Sequence, residues 1–377
     1  PRTFKDYRQL LELNDIDAVV IATPDHWHAL QVIDACDAGK DIYIEKPLSL
    51  TVTEGRKMVE AAEKANRVVQ LGTHRRSSEA CRRAAEFIRN GGIGQVTRVR
   101  CYHVQNEFPD GIGDPPDCDP PDELDWDLWL GPAPKVLYNP NRCLYKFRWF
   151  WDYSGGQLTN FGTHYLDVIQ WALGKNAPKK IAAIGGIYAV KDNREIPDTM
   201  EVTWEYDDGV IVTFSQINCN DARTDRLGSN MEFRGTEGTL YISGRRWEVI
   251  PEDWDMPNFC FENPEETPHE VPARSPRIRK DDRPRRRGER MEAVEFEGDG
   301  KDTEHHARNF LDCVKSREQC NAPIENGHRS TSATLLGNIA YHSGCLIEWD
   351  AKNERVVNSE KANKFLSYKY RSPWRLG

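Results

Sequence analysis

The sequence lacks both a long apolar run and an excess of positive charge. No stretch approaches the roughly 18 to 20 consecutive apolar residues that a membrane-spanning helix needs. The 377 residues carry a net charge of −9, whereas a general nucleic-acid-binding protein needs a basic face. We therefore expect neither a membrane nor a nucleic acid as a partner. The length is sufficient for two domains that each bury a core of their own.

Paired cysteines are also absent, because the ten cysteines stand singly and form no Cys-x-x-Cys motif. This spacing disfavours a zinc ribbon or a redox dithiol, and we expect no metal site. Buried thiols in a reducing compartment are favoured over disulfides. We therefore expect a cytoplasmic protein. A periplasmic location stays open, because an export signal would stand before Pro1.

The first hundred residues alternate predicted strands and helices. Residues 17–22 form a short β-branched run before Thr23-Pro24, which is typical of a buried parallel strand. The predicted elements follow one another as strand 17–22, helix 28–38, strand 41–44, helix 53–65 with Thr53 as its cap, strand 67–72 and helix 79–89. This order predicts a parallel sheet with right-handed crossovers.

Beyond Gly94 the sequence predicts hairpins. Asp207-Asp208-Gly209 separates predicted strands at 200–206 and 210–218, and this turn sequence is a strong hairpin signal. A second hairpin is predicted around the glycines of residues 235–238. Together with predicted helices at 161–173, 305–314 and 330–346, these strands indicate an α+β domain with a large antiparallel sheet. A charged segment of about 251–303, whose basic run begins at Arg274, is predicted to be a solvated insertion loop.

Three short motifs carry side chains suited to chemistry. Thr23-Pro24-Asp25-His26-Trp27-His28 follows one predicted strand and Glu45-Lys46-Pro47 follows the next. In an open parallel sheet, ligands bind outside these carboxyl ends. The third motif spans residues 155–167, where Asn160, His164 and Asp167 are spaced i, i+4 and i+7 and so share one helical face. An amide, an imidazole and a carboxylate on one face are an unusual choice for a core contact.

A lysine and a histidine of this kind can interconvert an alcohol and a ketone. A lysine beside a nicotinamide can donate to a substrate oxygen and stabilise the alkoxide that precedes hydride loss. A histidine can take the proton, because its pKa lies near neutrality. A nicotinamide cofactor would accept the hydride.

With these motifs the sequence resembles the glucose–fructose oxidoreductase, inositol dehydrogenase and rhizopine-catabolism family, written Gfo/Idh/MocA. Each motif alone is a weak signal, whereas their order and spacing over almost the whole chain are strong. The resemblance rests on Glu45-Lys46-Pro47, on residues 155–167, on Gly235-Thr236-Glu237-Gly238-Thr239-Leu240, and on the phrases at 124–132 and 148–153.

The resemblance implies a Rossmann-type parallel sheet, here without its first β-α-β unit, and a second domain whose antiparallel sheet often forms the subunit interface. We expect a partial dinucleotide-binding domain at 1–98 and a substrate and oligomerisation domain at 99–330. Residues 331–377 would be a C-terminal helix and tail that pack back on the first domain. The expected cofactor is NAD or NADP, and the expected assembly is a homo-oligomer, a dimer or tetramer joined through the antiparallel sheet.

The resemblance also assigns roles to individual residues. Lys46 would be the catalytic lysine, and His164 would be the histidine that works with it. Asp167 would hold the far end of the substrate or orient the histidine. Arg148 would touch the cofactor or a substrate hydroxyl. The cofactor would be bordered by Thr23, Pro24, His28 and Glu45, together with Lys46 itself.

Two departures from the family pattern matter. Inositol-dehydrogenase-like members carry an aspartate where this chain has Asn160, and an amide cannot take up a proton. Acid–base work would then rest on His164 and Lys46, with Asn160 left to bind substrate. The chain also has no Gly-x-Gly-x-x-Gly turn for a pyrophosphate. We expect that turn to precede Pro1 in a longer sequence; the alternative is that the protein has lost cofactor binding.

The sequence therefore predicts an NAD(P)-dependent oxidoreductase that interconverts a hydroxyl and a ketone on a sugar, glycoside or polyol. One alternative is a glycosidase-type enzyme that oxidises transiently, eliminates a glycosidic substituent and recycles its cofactor. Another is a non-catalytic sugar-binding or regulatory protein on a degenerate scaffold. Of the remaining histidines, we expect one of His26 and His28 to line the cofactor cleft and the other to face solvent. Structural roles are expected for His305, His306 and His328.

Overall fold

The computed structural model describes residues 2–222, 230–253 and 288–377. Its first part is a three-stranded parallel sheet of the order β1-β2-β3, as the alternation of strands and helices predicted. The strands are β1 Ala18–Ile21, β2 Asp41–Ile44 and β3 Val69–Leu71. Around them lie α1 Tyr7–Leu11, α2 Asp25–Asp37 and α3 Val52–Ala65. Helix α4 Glu79–Arg89 follows β3 and packs in the core of the second part.

Two helix starts differ from the prediction. The N-cap of α3 is Thr51 rather than Thr53, because the Thr51 side chain accepts from the Glu54 N–H while Glu54 Oε2 accepts from the Thr51 N–H. This reciprocal pairing satisfies two otherwise unpaired donors. Helix α2 begins at Asp25 rather than at residue 28, directly after Pro24. Most of the first motif is therefore the first turn of a helix.

The second part is a sheet of ten strands among the described residues, in the order β11-β10-β9-β8-β4-β7-β6-β5-β12-β13. Every neighbouring pair is antiparallel except β4 and β7, which are parallel, so the sheet is mixed rather than purely antiparallel. The strands are β4 Val96–Val104, β5 Lys180–Gly186, β6 Thr199–Glu205, β7 Ile211–Ile217, β8 Met231–Gly235, β9 Gly238–Ser243, β10 Arg246–Pro251, β11 Val294–Glu297, β12 Ile347–Asp350 and β13 Arg355–Val356.

The parallel pair has a topological cause. Strand β4 enters the sheet between two antiparallel runs, β5–β7 on one side and β8–β10 on the other. One edge of β4 pairs with β8 in antiparallel register, and the other edge pairs with β7 in parallel register. The hairpins themselves follow the prediction: β6 and β7 pair across the turn at Gly209, and β8 and β9 pair across residues 236–237.

The predicted insertion loop of about 251–303 is narrower in the structure. Strand β10 extends to Pro251, and β11 pairs with it in antiparallel register. Helix α8 already begins at Asp302. Most of the basic run that begins at Arg274 lies outside the described residues.

Helices α6 Gly156–Asn160, α7 Gly162–Leu173 and α9 Ile324–Ser343 pack against one face of the large sheet. The other helices of this part of the chain are α5 Trp126–Leu130, α8 Asp302–Ser316 and α10 Glu360–Asn363. Helix α9 begins six residues before the predicted start at 330, so the expected domain boundary falls inside it. Trp204 of β6 is fully buried beneath α9 and donates to the Ala333 carbonyl at 2.8 Å. Burying a large apolar side chain stabilises the folded state by about 1.5–3 kcal/mol. The main core of the protein lies between this face and the helices.

The residues after α10 cross back to the first sheet. The Tyr370 hydroxyl donates to Glu54 Oε1 at 2.5 Å, and Arg371 donates to Asp127 Oδ1 at 2.6 Å. The Trp374 ring meets the Trp27 ring edge-on, with centroids 4.9 Å apart. These contacts hold the tail across α2 and α3. None of the helices in the described ranges has the length and apolarity that crossing a membrane requires.

Candidate active site

The loops after β1 and β2 are tied together by one buried histidine. His28 Nε2 lies 2.8 Å from the Thr23 carbonyl oxygen, and its Nδ1 lies 2.9 Å from the Pro47 carbonyl oxygen. The Glu45 N–H donates to the Ile21 carbonyl at 2.9 Å and continues this connection. Both ring nitrogens of His28 therefore face backbone. The histidine braces the two loops and has no nitrogen left for a cofactor.

The third motif consists of two consecutive helices rather than one. Helix α6 ends at Asn160 and α7 starts at Gly162, although Phe161 between them keeps helical angles of φ −90° and ψ −37°. His164 and Asp167 lie one turn apart on α7. The helical path continues through Phe161, so the face that the spacing predicted is largely preserved.

Lys46 and Asn160 meet across the two parts of the fold. Lys46 Nζ donates to Asn160 Oδ1 at 2.5 Å and to the Asn160 carbonyl oxygen at 3.3 Å. The Asn160 amide nitrogen donates to Gln157 Oε1 at 3.0 Å, which turns the amide oxygen toward the lysine. Burial lowers the pKa of Lys46, while the charges of Asp25 and Glu45 oppose the shift and that of Arg148 adds to it. A lysine in this state gives up a hydrogen-bonded proton more readily than one in water.

His164 is the second group with acid–base capacity. Its side chain is 8% exposed, and Nδ1 has no hydrogen-bond partner among the described residues. Burial holds the pKa of His164 well below its ordinary value, and the positive charge of Lys46 adds to the shift. The ring is therefore neutral at neutral pH, with a nitrogen able to accept a proton. A buried unpaired nitrogen is costly for stability, which favours a functional reason for it.

Asp167, which the resemblance assigned to substrate binding or to orienting the histidine, is paired with an arginine in the structure. Arg76 Nε lies 3.0 and 2.9 Å from its two carboxylate oxygens, and Asp167 is fully buried. Burial raises the pKa of Asp167, and the Arg76 guanidinium opposes that shift. With its oxygens engaged by Arg76, the carboxylate makes no described contact to His164. The structure shows a buried ion pair that anchors α7 to the turn after β3.

Asp25 belongs to the site, although the sequence analysis assigned it no role. It is buried in the first turn of α2, and its Oδ2 accepts from the Ser154 hydroxyl at 2.5 Å. Burial raises the pKa of Asp25, whereas His28, Arg148 and Lys46 oppose the shift. This carboxyl group links the first motif to the residue just before the third. The available signal was the aspartate itself, which stands between Pro24 and His26 in the first motif.

Arg148 and Glu45 line the same region with half-buried charges. The Arg148 guanidinium lies 4.2 Å from the centre of the Tyr145 ring and donates to the Tyr145 carbonyl at 2.9 Å. The Glu45 carboxylate lies against Gly72, where an added Cβ would come within 3.0 Å of Oε2. Glycine at residue 72 therefore leaves the space that this carboxylate occupies. The Thr23 hydroxyl donates to Gln31 Oε1 at 2.8 Å beside them.

The expectation that His26 or His28 faces solvent is wrong, because both are buried. His26 Nε2 lies 3.0 Å from the Trp129 carbonyl oxygen, and burial lowers the pKa of His26 to about 3. The aromatic residues of the loop before the third motif pack around it, so the helix start is closed on this side. No group of three or more metal-ligating side chains occurs in the described part of the chain.

The later histidines make structural hydrogen bonds. His306 is held between the Ser77 hydroxyl at 2.7 Å and the Leu71 carbonyl oxygen at 2.8 Å, and burial lowers its pKa to about 4. His328 Nε2 lies 2.9 Å from Glu354 Oε1. His305 pairs with Asp299 at 3.2 Å near the surface. These contacts agree with the structural roles expected for all three.

Two sequence profiles of one oxidoreductase family match the chain. Residues 1–73 match its NAD-binding Rossmann fold, and residues 111–247 and 297–376 match its C-terminal alpha/beta domain. The chain belongs to the Gfo/Idh/MocA oxidoreductase family. This confirms the resemblance carried by the three motifs, as well as the NAD-binding fold expected for the first sheet.

Named relatives of this family member include sugar enzymes. Levoglucosan dehydrogenase of Pseudarthrobacter phenanthrenivorans is 25% identical over 264 residues, which are 65% of this chain and 60% of that protein. The 1,5-anhydro-D-fructose reductase of Ensifer adhaerens is 26% identical over 227 residues, or 60% of this chain and 56% of that protein. The chain thus spans less than two thirds of either relative's length. A solved structure of levoglucosan dehydrogenase with NADH and levoglucosan superimposes with a TM-score of 0.63 at 18% identity, covering 92% of this chain and 83% of that one.

Proposed function

We propose that this Gfo/Idh/MocA protein is an NAD(P)-dependent oxidoreductase that interconverts a hydroxyl and a ketone on a sugar, glycoside or polyol. The proposal rests on one observation above all: a half-buried lysine whose hydrogen-bond partner is neutral lies in the same site as a neutral histidine with an unpaired nitrogen. The names of the two relatives support the substrate class.

The residues at the carboxyl ends of β1 and β2 fit the nicotinamide half of a dinucleotide. The unpaired Nδ1 of His164 and the ammonium of Lys46 leave donor and acceptor capacity that no described side chain uses up. We propose that Thr23, Pro24 and Glu45 border the cofactor there, while His28 holds their loops in place. NAD or NADP, when bound, supplies the hydride acceptor.

The chain's own residues account for the proton chemistry. A substrate hydroxyl would replace the Asn160 amide as the partner of Lys46, and the ammonium would stabilise the oxygen as negative charge develops. His164 would accept the hydroxyl proton, which its lowered pKa allows at neutral pH. Asn160 and Arg148 would then hold neighbouring hydroxyls by hydrogen bonds. In the direction of reduction the same groups act in reverse.

The test begins with the purified protein carrying its natural N-terminus. Absorbance and mass spectrometry would identify bound nicotinamide cofactor, and a panel of sugars and polyols would be screened for a change at the nicotinamide absorbance band. We expect Lys46→Met to lower kcat by about 10³-fold, since it removes charge stabilisation of a kind worth roughly 3–4 kcal/mol. Lys57→Met, on the exposed side of α3, is the matched control and should keep its activity.

Three results would contradict the proposal. Turnover that survives Lys46→Met would remove the lysine from the mechanism. Release of a glycosidic substituent without net cofactor reduction would favour the cofactor-recycling glycosidase. Absence of both cofactor and turnover in the protein with its natural N-terminus would favour the binding protein.

We also propose that the protein self-associates through the uncovered face of the large sheet. Helices α7 and α9 pack against the opposite face, and the uncovered face exposes Ile184 at 78% and Ile211 at 44%. Light scattering during size-exclusion chromatography should show a dimer or tetramer that Ile184→Glu weakens. Leu137→Glu changes an exposed apolar residue outside the sheet and should leave the assembly unchanged. A monomer in the unmodified protein would overturn the proposal.

A further inference from the structure

A second imidazole lies against His164. His74 stands two residues beyond Gly72, in the short 3₁₀ turn His74–Ser77 after β3. Its ring centroid is 5.0 Å from that of His164, and the two planes meet at 61° in an edge-to-face contact. His74 is half-buried, whereas His164 is buried. Any rotation of the His164 ring toward the turn after β3 would therefore collide with His74.

The position matters because Asn160 cannot exchange a proton. Among the described titratable side chains around the Lys46–Asn160 contact, His74 is the one whose ring contacts the His164 ring. The groups that act electrostatically on His164 are Lys46, His74, Arg75 and His306. Those acting on His74 are Arg75, Asp302 and Glu45. His306 is held by two hydrogen bonds and has a pKa of about 4, so it stays neutral over most of the acidic range.

We propose that His74 is a positioning residue for His164: its ring fixes the orientation of the His164 ring, and its charge, once His74 is protonated, makes protonation of His164 harder. The consequence for catalysis rests on the proposed function, but the coupling of the two rings does not. The less buried His74 takes up a proton first as the pH falls. The resulting cation beside His164 then disfavours a second positive charge.

Histidine titration by NMR tests the coupling without any substrate. The Cε1–H signals of ¹³C-labelled histidine would be followed in the unmodified protein and in His74→Phe, with His164→Gln to assign the His164 signal. His74→Phe keeps an aromatic ring and removes the charge, so the pKa of His164 should rise by about one unit. His305→Phe is the matched control, because His305 pairs with Asp299 at the surface, and it should leave the pKa of His164 unchanged.

A second variant keeps the test valid if His74→Phe does not fold. His74→Asn removes the same charge with a smaller side chain, so the pKa of His164 should rise in it by a similar amount. Once a substrate has been found, the acid limb of kcat against pH should move to higher pH in His74→Phe. His74→Ala should lower kcat by about tenfold with a smaller change in KM, because the ring support is lost.

An unchanged pKa of His164 in both His74→Phe and His74→Asn would overturn the proposal. Coupled titrations in a protein that oxidises no sugar would sustain the pair while sinking the proposed function. Turnover without coupling would do the reverse.

Discussion

The two ends of the segment from Asn160 to Asp167 use buried polar groups in opposite ways. At the reactive end, formed by Lys46, Asn160 and His164, a charged amine has a neutral partner and an imidazole nitrogen has none. At the anchored end, formed by Asp167 and Arg76, two opposite charges pair at 2.9 Å. Asn160, His164 and Asp167 share one helical face, and all three are buried. We infer that a hydrogen-bonding atom left without a partner, rather than burial or residue type, distinguishes a group suited to chemistry from a structural one.

The largest expected effect comes from breaking the anchored end. Asp167→Asn leaves the Arg76 guanidinium, whose side chain is 11% exposed, without its counter-charge. We expect the free energy of unfolding to fall by about 3–5 kcal/mol, because an unpaired buried charge is strongly destabilising. Urea denaturation measures this loss. Lys46→Met, which removes a charge at the reactive end, should cost less than about 1 kcal/mol.

The double variant Asp167→Asn/Arg76→Met sharpens this result. Removing both partners should recover much of the lost stability, because no unpaired charge remains. If Asp167→Asn were as stable as the unmodified protein but bound sugar poorly, the comparison would break, and Asp167 would return to the substrate-binding role that the family resemblance implied.

A smaller effect is expected at His306, where both ring nitrogens have hydrogen-bond partners. Burial lowers the pKa of His306 to about 4, whereas an unfolded histidine titrates near 6.5. Its stabilising contribution is therefore present above pH 6.5 and is lost as the pH falls toward 4. The unmodified protein should lose up to roughly 3 kcal/mol more over this window than His306→Gln does.

Denaturation curves at several pH values check the prediction. His305→Gln, at the exposed neighbouring position, is the control and should retain the slope of the unmodified protein. Parallel pH dependences for His306→Gln and the unmodified protein would show that His306 is charged in the folded state.

The smallest effect is expected from giving the reactive end the pairing of the anchored end. Asn160→Asp places a carboxylate beside Lys46 and favours its charged form, so the pKa of Lys46 should rise by about one unit. The pH dependence of lysine modification, or the alkaline limb of kcat, would report the change. Asn338→Asp, a buried amide of α9 that does not touch Lys46, should leave the pKa of Lys46 unchanged. An unaltered pKa in Asn160→Asp would mean that the Lys46–Asn160 contact does not persist in solution.

Several elements were predictable because they depend on neighbours in the chain. Helix α4 runs over Glu79–Arg89 as predicted, since Ser78 caps it and Asn90 ends it. Strand β2 over Asp41–Ile44 has the predicted bounds, and the glycine of the turn at Asp207-Asp208-Gly209 adopts the positive φ of 86° that such hairpins require. Lys46 was named because the carboxyl ends of parallel strands meet at one edge of a sheet. Asn160 and His164 were named because their spacing places them on one helical face.

Other features depend on which distant segments meet. Nothing near Asp167 in the sequence reveals Arg76, which is 91 residues away and arrives by way of the turn after β3. The contacts of Asp25 with Ser154 and of His74 with His164 also join residues that are distant in the sequence. The parallel pairing of β4 with β7 also required the order of the whole sheet.

The sequence by itself determined the family, the alternation of elements and the side chains that are candidates for the chemistry, because propensity, turn chemistry and motif spacing act over a few residues. Only the tertiary structure decided which of those side chains keep a free atom. A group's pKa and its available lone pairs are set by burial and by partners that long-range packing brings within a few ångströms. For that reason His164 and Asp167 differ although they lie one helical turn apart: His164 has a ring nitrogen without a described partner, and Asp167 is paired with Arg76.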